Sequence, residues 1–306
     1  MSKAKREEIR RKRRRRALIR YYSKVTFLLA LGLLIIVIIG KGGVFLFGGS
    51  SDKAYDKTLE ETEYIEATDK KDEEKRLNLL LDEKRQEQLL DKILANEDEY
   101  PEELVNLAKS KPETRQFVYN YLTKEQEAIA TIGSANKIKY YYEKGTIPLF
   151  QQWDERWGYY DYGDDFLALT GCGPTSLAMV YVGLTGDTSQ NPYTVAKMSE
   201  ENDYFVSGSG SSWELMNTGC ENLGLVAKRI SLDESRINAE LDAGRPIIAS
   251  MGPGDFTSSG HFIVLVNYSE EGYEIRDPDS ITRSRQKWPF DRIKDQIKNL
   301  WSFEVR

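Results

Sequence analysis

Residues 171–180 read GCGPTSLAMV. The stretch sets one of the chain's two cysteines between two glycines, directly ahead of a proline and an apolar run. Proline is tolerated in a first helical turn, where its missing N–H costs nothing, so PTSLAMVYVGL (174–184) predicts a helix opening on Pro174 and closed by Gly186. Cys172 then stands at the mouth of that helix, where backbone N–H groups and the positive dipole end favour thiolate over thiol. Gly171 and Gly173 permit a tight backbone and leave space for a substrate carbonyl, and the Cys172 N–H is placed to serve an oxyanion. A lone cysteine is usually a small buried apolar residue, and this context alone only brings the two readings level.

Downstream the texture changes towards strands. LVAKRI (225–230), PIIASM (246–251), HFIVLVNY (261–268), YEIRD (273–277) and WSFEV (301–305) are short and rich in β-branched and aromatic residues. SLDESRINAELDAG interposes a helix ending at Gly244, while PYTVAKMSEEN and SSWELMNTGCENLG extend the helical half that GCGPTSLAMV begins. Helices first and an antiparallel sheet second predict an α+β domain.

The chain holds a single histidine, His261, behind the Gly-rich GPGDFTSSG and at the head of an apolar strand. One histidine and two distant cysteines make a poor zinc site, so neither a metal nor another cofactor is expected. A thiol nucleophile needs an imidazole within reach, and a strand opening after a glycine-rich loop is an exposed place to put one. Asp277, in EIRDPDS on the next strand, is the candidate to orient the ring; Asp279 is the weaker substitute. An odd hairpin loop puts Asp277 and His261 on one face, whereas an even loop separates them unless a bulge intervenes. QQWDERW (151–157) supplies two side-chain amides, Gln151 and Gln152, either of which could complete an oxyanion hole with the Cys172 N–H.

IPLFQQWDERWGYYDYG, GCGPTSLAMV, GHFIVLV and RDPDS resemble, in order and separation, the papain-like cysteine peptidase family whose founding members remove double-glycine leaders from bacteriocins. The resemblance spans roughly residues 147–303, and the four motifs are specific together although each is weak alone. It implies a papain-like fold, with Cys172 as nucleophile, His261 as base and Asp277 as orienting residue. It also favours Gln152 over Gln151, because Gln152 opens the family's Q-x-D-x-x-W pattern with Asp154 and Trp157. No ATP-binding cassette or multispan region follows, so the arrangement resembles stand-alone bacterial relatives rather than export-coupled ones.

The formal net charge of -6 hides a polarity, because residues 1–24 carry twelve Lys or Arg against only Glu7 and Glu8. The rest of the chain is strongly acidic and predicts no nucleic-acid partner. VTFLLALGLLIIVIIG (25–40), resuming as VFLF (44–47), comes after the basic run and predicts one membrane-spanning signal-anchor over 25–47. The positive-inside rule then sets residues 1–24 in the cytoplasm and the remainder outside. A cleaved signal is the competing reading, but no small-x-small cleavage site follows Gly40. Residues 48–71 read as a polar linker. Leu77, Leu80, Leu81, Leu89, Ile93 and Leu94 form one helical face, and Pro101 and Pro112 open two further helices. A helical module over 72–134 therefore precedes a peptidase domain over 135–306; the module is either a docking surface or spacer, or an extension packed on that domain.

The expected function is a membrane-tethered extracytoplasmic cysteine peptidase that cleaves a peptide or protein substrate through an acyl-enzyme. Two alternatives stand beside it. One keeps the nucleophile but directs it to a cell-wall peptide amide or to acyl transfer. The other is a catalytically silent surface module that binds peptide or glycan with Trp153, Trp157, Tyr159, Tyr160 and Tyr162, residues more often found in a core or a cleft wall. A Cys172–Cys220 disulfide would silence the enzyme in an oxidising exterior. Nothing in the sequence sets an oligomeric state.

Overall fold

Residues 70–130 and 142–306 are described by the structure, a computed structural model; they belong to one unit, Ala67–Arg306. The predicted span at 25–47, the basic segment before it and nearly all of the linker lie outside the described residues. Among those described, no helix is long and apolar enough to cross a membrane.

The leucine periodicity is realised as two helices rather than one. α1 (Lys70–Leu80) and α2 (Glu83–Leu94) part at Asp82, whose side chain accepts the Arg85 N–H and caps the second. Leu77, Leu80, Leu89 and Ile93 are buried, whereas Leu94 is exposed. Pro101 caps α3 (Glu102–Ser110), and Pro112 opens a 3-10 turn that runs into α4 (Arg115–Ala130).

These helices share an apolar core with the domain downstream of them. Ile93, Leu104, Phe117, Val118 and Tyr121 form one cluster with Trp153, Tyr159, Phe166, Ala168 and Ile281. The rings of Phe117 and Tyr159 stack with centroids 4.3 Å apart, and the Tyr159 hydroxyl donates to the Phe117 carbonyl at 2.7 Å. Gly158 makes the approach possible, since a Cβ there would stand 2.7 Å from the Phe117 ring. Of the two readings of the module, this packing matches the extension laid on the downstream domain.

Six antiparallel strands form the main sheet. They are β1 (Leu225–Arg229), β2 (Ile247–Met251), β3 (His261–Ser269), β4 (Gly272–Arg276), β5 (Lys287–Trp288) and β6 (Ile297–Val305), in spatial order β1-β6-β2-β3-β4-β5. Ahead of them come α5 (Cys172–Thr185) and α6 (Pro192–Glu201), and α7 (Glu234–Asp242) lies between β1 and β2. Leu177 and Val180 of α5 pack with Ile248, Phe262, Val264 and Trp301 on one sheet face. Ile237 of α7 packs with Ile247, Ile263, Leu265 and Ile275 on the other. Covered on both faces, β2 is buried throughout, which is why PIIASM shows no polar alternation.

Several boundaries differ from expectation, two of them around the site and the sheet's long strand. α5 opens on Cys172, not Pro174: Gly171 is the N-cap and Pro174 the third helical residue, while Gly186 closes the helix at φ 78° as predicted. β6 begins at Ile297, four residues before the predicted WSFEV, because pairing with β2 reaches Ile297 opposite Met251.

Candidate active site

Helix α5 fixes the position of Cys172, which is half-buried and free. The glycines beside it do not leave the space expected for a substrate. A Cβ on Gly173 would lie 2.3 Å from Ser211 Oγ, and one on Gly171 would lie 2.5 Å from the Leu167 carbonyl oxygen. Both glycines serve close packing. Ser211 belongs to a two-stranded ribbon, Phe205–Val206 with Gly210–Ser211, and is hydrogen-bonded to the Tyr162 hydroxyl at 2.8 Å, which also meets Ser199 Oγ at 2.7 Å. The ribbon is thereby held against the first turn of α5.

His261 opens β3, and Asp277 comes directly after the last residue of β4. The hairpin between those strands has an even, two-residue turn, with Ser269 opposite Gly272. Such a turn alone would put the two side chains on opposite faces. The register shifts between Leu265 and Asn267, and this bulge at Val266 returns them to the same face. His261 Nε2 and Asp277 Oδ1 are 2.7 Å apart. Against expectation, His261 is buried at the strand mouth, with 7% of its surface exposed.

Asp277 is fully buried and accepts from several donors. Oδ1 also takes the Asp279 N–H at 2.8 Å, and Oδ2 takes Arg283 Nε–H at 2.5 Å. The Asp277 N–H itself donates to Ser284 Oγ at 2.8 Å. Asp279 does not reach the imidazole, because its carboxylate pairs with Lys111 and Arg283. Arg283 and Ser284 were not foreseen from the sequence. Their signal is faint: Ser280 caps the helical turn Ile281–Ser284, and that turn carries a basic residue back towards Asp277.

The buried charges support one another. Burial opposes a charged His261 ring, but the Asp277 charge and hydrogen bond, with a smaller contribution from the Cys172 sulfur as an acceptor, outweigh it and raise the ring to about 10. Burial likewise opposes a charged Asp277, yet the charges and hydrogen bonds of His261 and Arg283 hold its carboxyl down at about 2. With Nε2 committed to Asp277, Nδ1 is the ring nitrogen left for the Cys172 thiol.

Gln152 and Gln151 are both buried but face different ways. Gln152 Nε2 donates to the Ala168 carbonyl at 2.8 Å, in the turn before Cys172, and its backbone N–H donates to the Pro278 carbonyl at 2.7 Å. One amide N–H of Gln152 remains. Gln151 Oε1 instead accepts from Arg76 of α1 at 3.3 Å. Asp154 holds Arg156 at 2.7 Å and Arg76 at 3.4 Å, as a structural anchor between module and domain.

The five aromatic residues of the silent-module reading are buried, Tyr160 most exposed at 7%. They present no binding face. Cys172 and Cys220 are not bonded to each other; Cys220 is buried within reach of the Asn217 and Leu225 carbonyls, and burial pushes its thiol up to about 11. Among the described residues, no group of three or more His, Cys, Asp or Glu could hold a metal ion.

A family model described as "Peptidase_C39 like family" matches residues 144–303, a span that includes Gln152, Cys172, His261 and Asp277. No curated protein matches the chain. Among solved structures, a C39-like peptidase from Bacillus anthracis is 18% identical, with 53% of this chain and 96% of that one covered at a TM-score of 0.35. The peptidase domain of Streptococcus ComA, a bifunctional ABC transporter of a quorum-sensing pathway, is 19% identical, with 53% and 100% covered at a TM-score of 0.37.

Proposed function

The chain belongs to the C39-like peptidase family and is a cysteine peptidase acting on peptide or protein; on that premise we propose that Cys172, His261 and Asp277 carry its chemistry outside the cell, tethered by residues 25–47. The observation that carries this reading is the 2.7 Å contact between the chain's single histidine and a buried carboxylate. Cys172 Sγ, its proton passed to His261, attacks the peptide carbonyl, and the Cys172 N–H and the remaining Gln152 amide N–H receive the oxyanion. The intermediate collapses to a thioester as the imidazolium gives its proton to the leaving amine. The neutral ring then takes a proton from water, whose oxygen attacks the thioester and releases Cys172. Asp277 keeps the ring in the tautomer and orientation that each proton transfer needs.

Iodoacetate tests the site: it labels Cys172 far faster than the buried Cys220, and His261→Ala slows that labelling. Equal labelling of the two thiols would sink the reading. The tether rests on the basic run ahead of 25–40. A tag at residue 2 should be protected from external protease in intact cells, and one after Arg306 accessible. A mature protein starting after residue 40 would replace the anchor with a cleaved signal.

A further inference from the structure

Glu113 reaches from the helical module onto the loop that carries Asp277. It sits in the 3-10 turn ahead of α4. Oε1 accepts the Ser280 hydroxyl at 2.7 Å, and Oε2 accepts the N–H groups of Ile281 at 2.8 Å and Thr282 at 3.4 Å. These N–H groups open the helical turn Ile281–Ser284, which has no acidic residue of its own there. Ser280 is fixed by both partners, since it also accepts the Arg283 N–H at 3.2 Å. The turn so held delivers Arg283 Nε–H to Asp277 Oδ2 and Ser284 Oγ to the Asp277 N–H. Lys111, two residues before Glu113, pairs with Asp279, whose N–H donates to Asp277 Oδ1.

A carboxylate is a costly way merely to fasten two segments, because burial opposes its charge. Burial raises the Glu113 carboxyl above its ordinary value despite the three hydrogen bonds. The apolar cluster around Phe117, Tyr159 and Ile281 already fastens the module. What the carboxylate adds is direction, by setting the angle at which the turn leaves Ser280.

We propose that Glu113 is a positioning residue of the active site, holding from the helical module the turn that orients Asp277 and, through it, His261. The proposal rests on the reading of Cys172, His261 and Asp277 as the reacting set. Glu113 touches neither thiol nor imidazole. The ionisable groups around the imidazole and its carboxylate are Cys172, Arg283 and Asp279, with Lys111 behind Asp279. If Glu113 is lost and the turn loosens, Asp277 supports the imidazolium less well and the ring loses its proton at lower pH.

The test uses the full-length chain in detergent and iodoacetate as probe, with labelling of Cys172 followed by mass spectrometry across pH. Iodoacetate is drawn to an imidazolium, so its rate falls on the basic side as His261 deprotonates. Glu113→Ala should move that basic limb down by about one pH unit, the size of an ordinary charge-partner effect. Glu113→Gln, which keeps an acceptor for the Ile281 N–H, should return the limb most of the way to its wild-type position. A folded Glu113→Ala whose limb coincides with that of the wild type, while His261→Ala removes the limb, would overturn the proposal and leave the active-site reading standing. A wild-type profile indifferent to His261→Ala would overturn both. Should Glu113→Ala fail to fold, Glu113→Asp carries the same test, since it keeps the charge and withdraws the carboxylate from Ile281.

Discussion

His261 Nε2 lies 2.7 Å from Asp277 Oδ1 because a bulge at Val266 reverses the facing that an even hairpin turn would impose. The contact couples two buried groups that neither strand alone could keep charged, and it makes the domain's stability a function of pH.

The raised His261 pKa contributes stability that is fully present below the ring's ordinary 6.5 and is lost as pH rises through about 10. The depressed Asp277 pKa contributes stability present above the ordinary 3.8 and lost as pH falls through about 2. Asp277→Asn should therefore flatten the decline in thermal midpoint between pH 6.5 and 10 and lower peptide turnover. Parallel declines in the variant and the wild type would show that the pair is not coupled in the folded chain.

Gly173→Ala should destabilise the chain by about 1–3 kcal/mol, the usual cost of overpacking, because the new Cβ would meet Ser211 Oγ at 2.3 Å. Ser211→Gly in the same chain should recover part of that loss, while removing a partner of the Tyr162 hydroxyl. Urea midpoints measure both. If Gly173→Ala is silent in stability but changes turnover, the space beside Cys172 belongs to the substrate after all.

Phe117→Ala removes a ring stacked on Tyr159 at 4.3 Å and should cost about 3–5 kcal/mol, as large-to-small changes in a packed core do. The module and the peptidase domain should still unfold in one transition, monitored by tryptophan fluorescence and far-ultraviolet circular dichroism together. Two separated transitions would show that the shared cluster does not bind them into one cooperative unit.

The sequence made the chemistry legible where residue type and local pattern decide it. A cysteine at the mouth of a helix, one histidine heading an apolar strand and an aspartate on the next strand are all local features, and the structure sets the histidine and the aspartate 2.7 Å apart. The side-chain amide was ambiguous locally, and tertiary direction separates the two: Gln152 turns to Ala168 beside Cys172, Gln151 to Arg76. The Val266 bulge left no trace in an unbroken apolar run, because register is set by packing across the whole sheet. Glu113 and Lys111 were unreadable as parts of the site, since their partners, Ser280 to Thr282 and Asp279, are distant in sequence and meet them only after folding. The glycines flanking Cys172 were legible as close-approach positions, but the neighbour that comes close is the chain itself.

Cleavage of a peptide library by the full-length chain, set against Cys172→Ala and Cys220→Ala, tests the central claim most directly. The wild type and Cys220→Ala should cleave the same peptides, and Cys172→Ala should cleave none, because Cys220 is buried whereas Cys172 is half-buried at the first turn of α5. Cleavage that survives Cys172→Ala would contradict the assignment of the nucleophile.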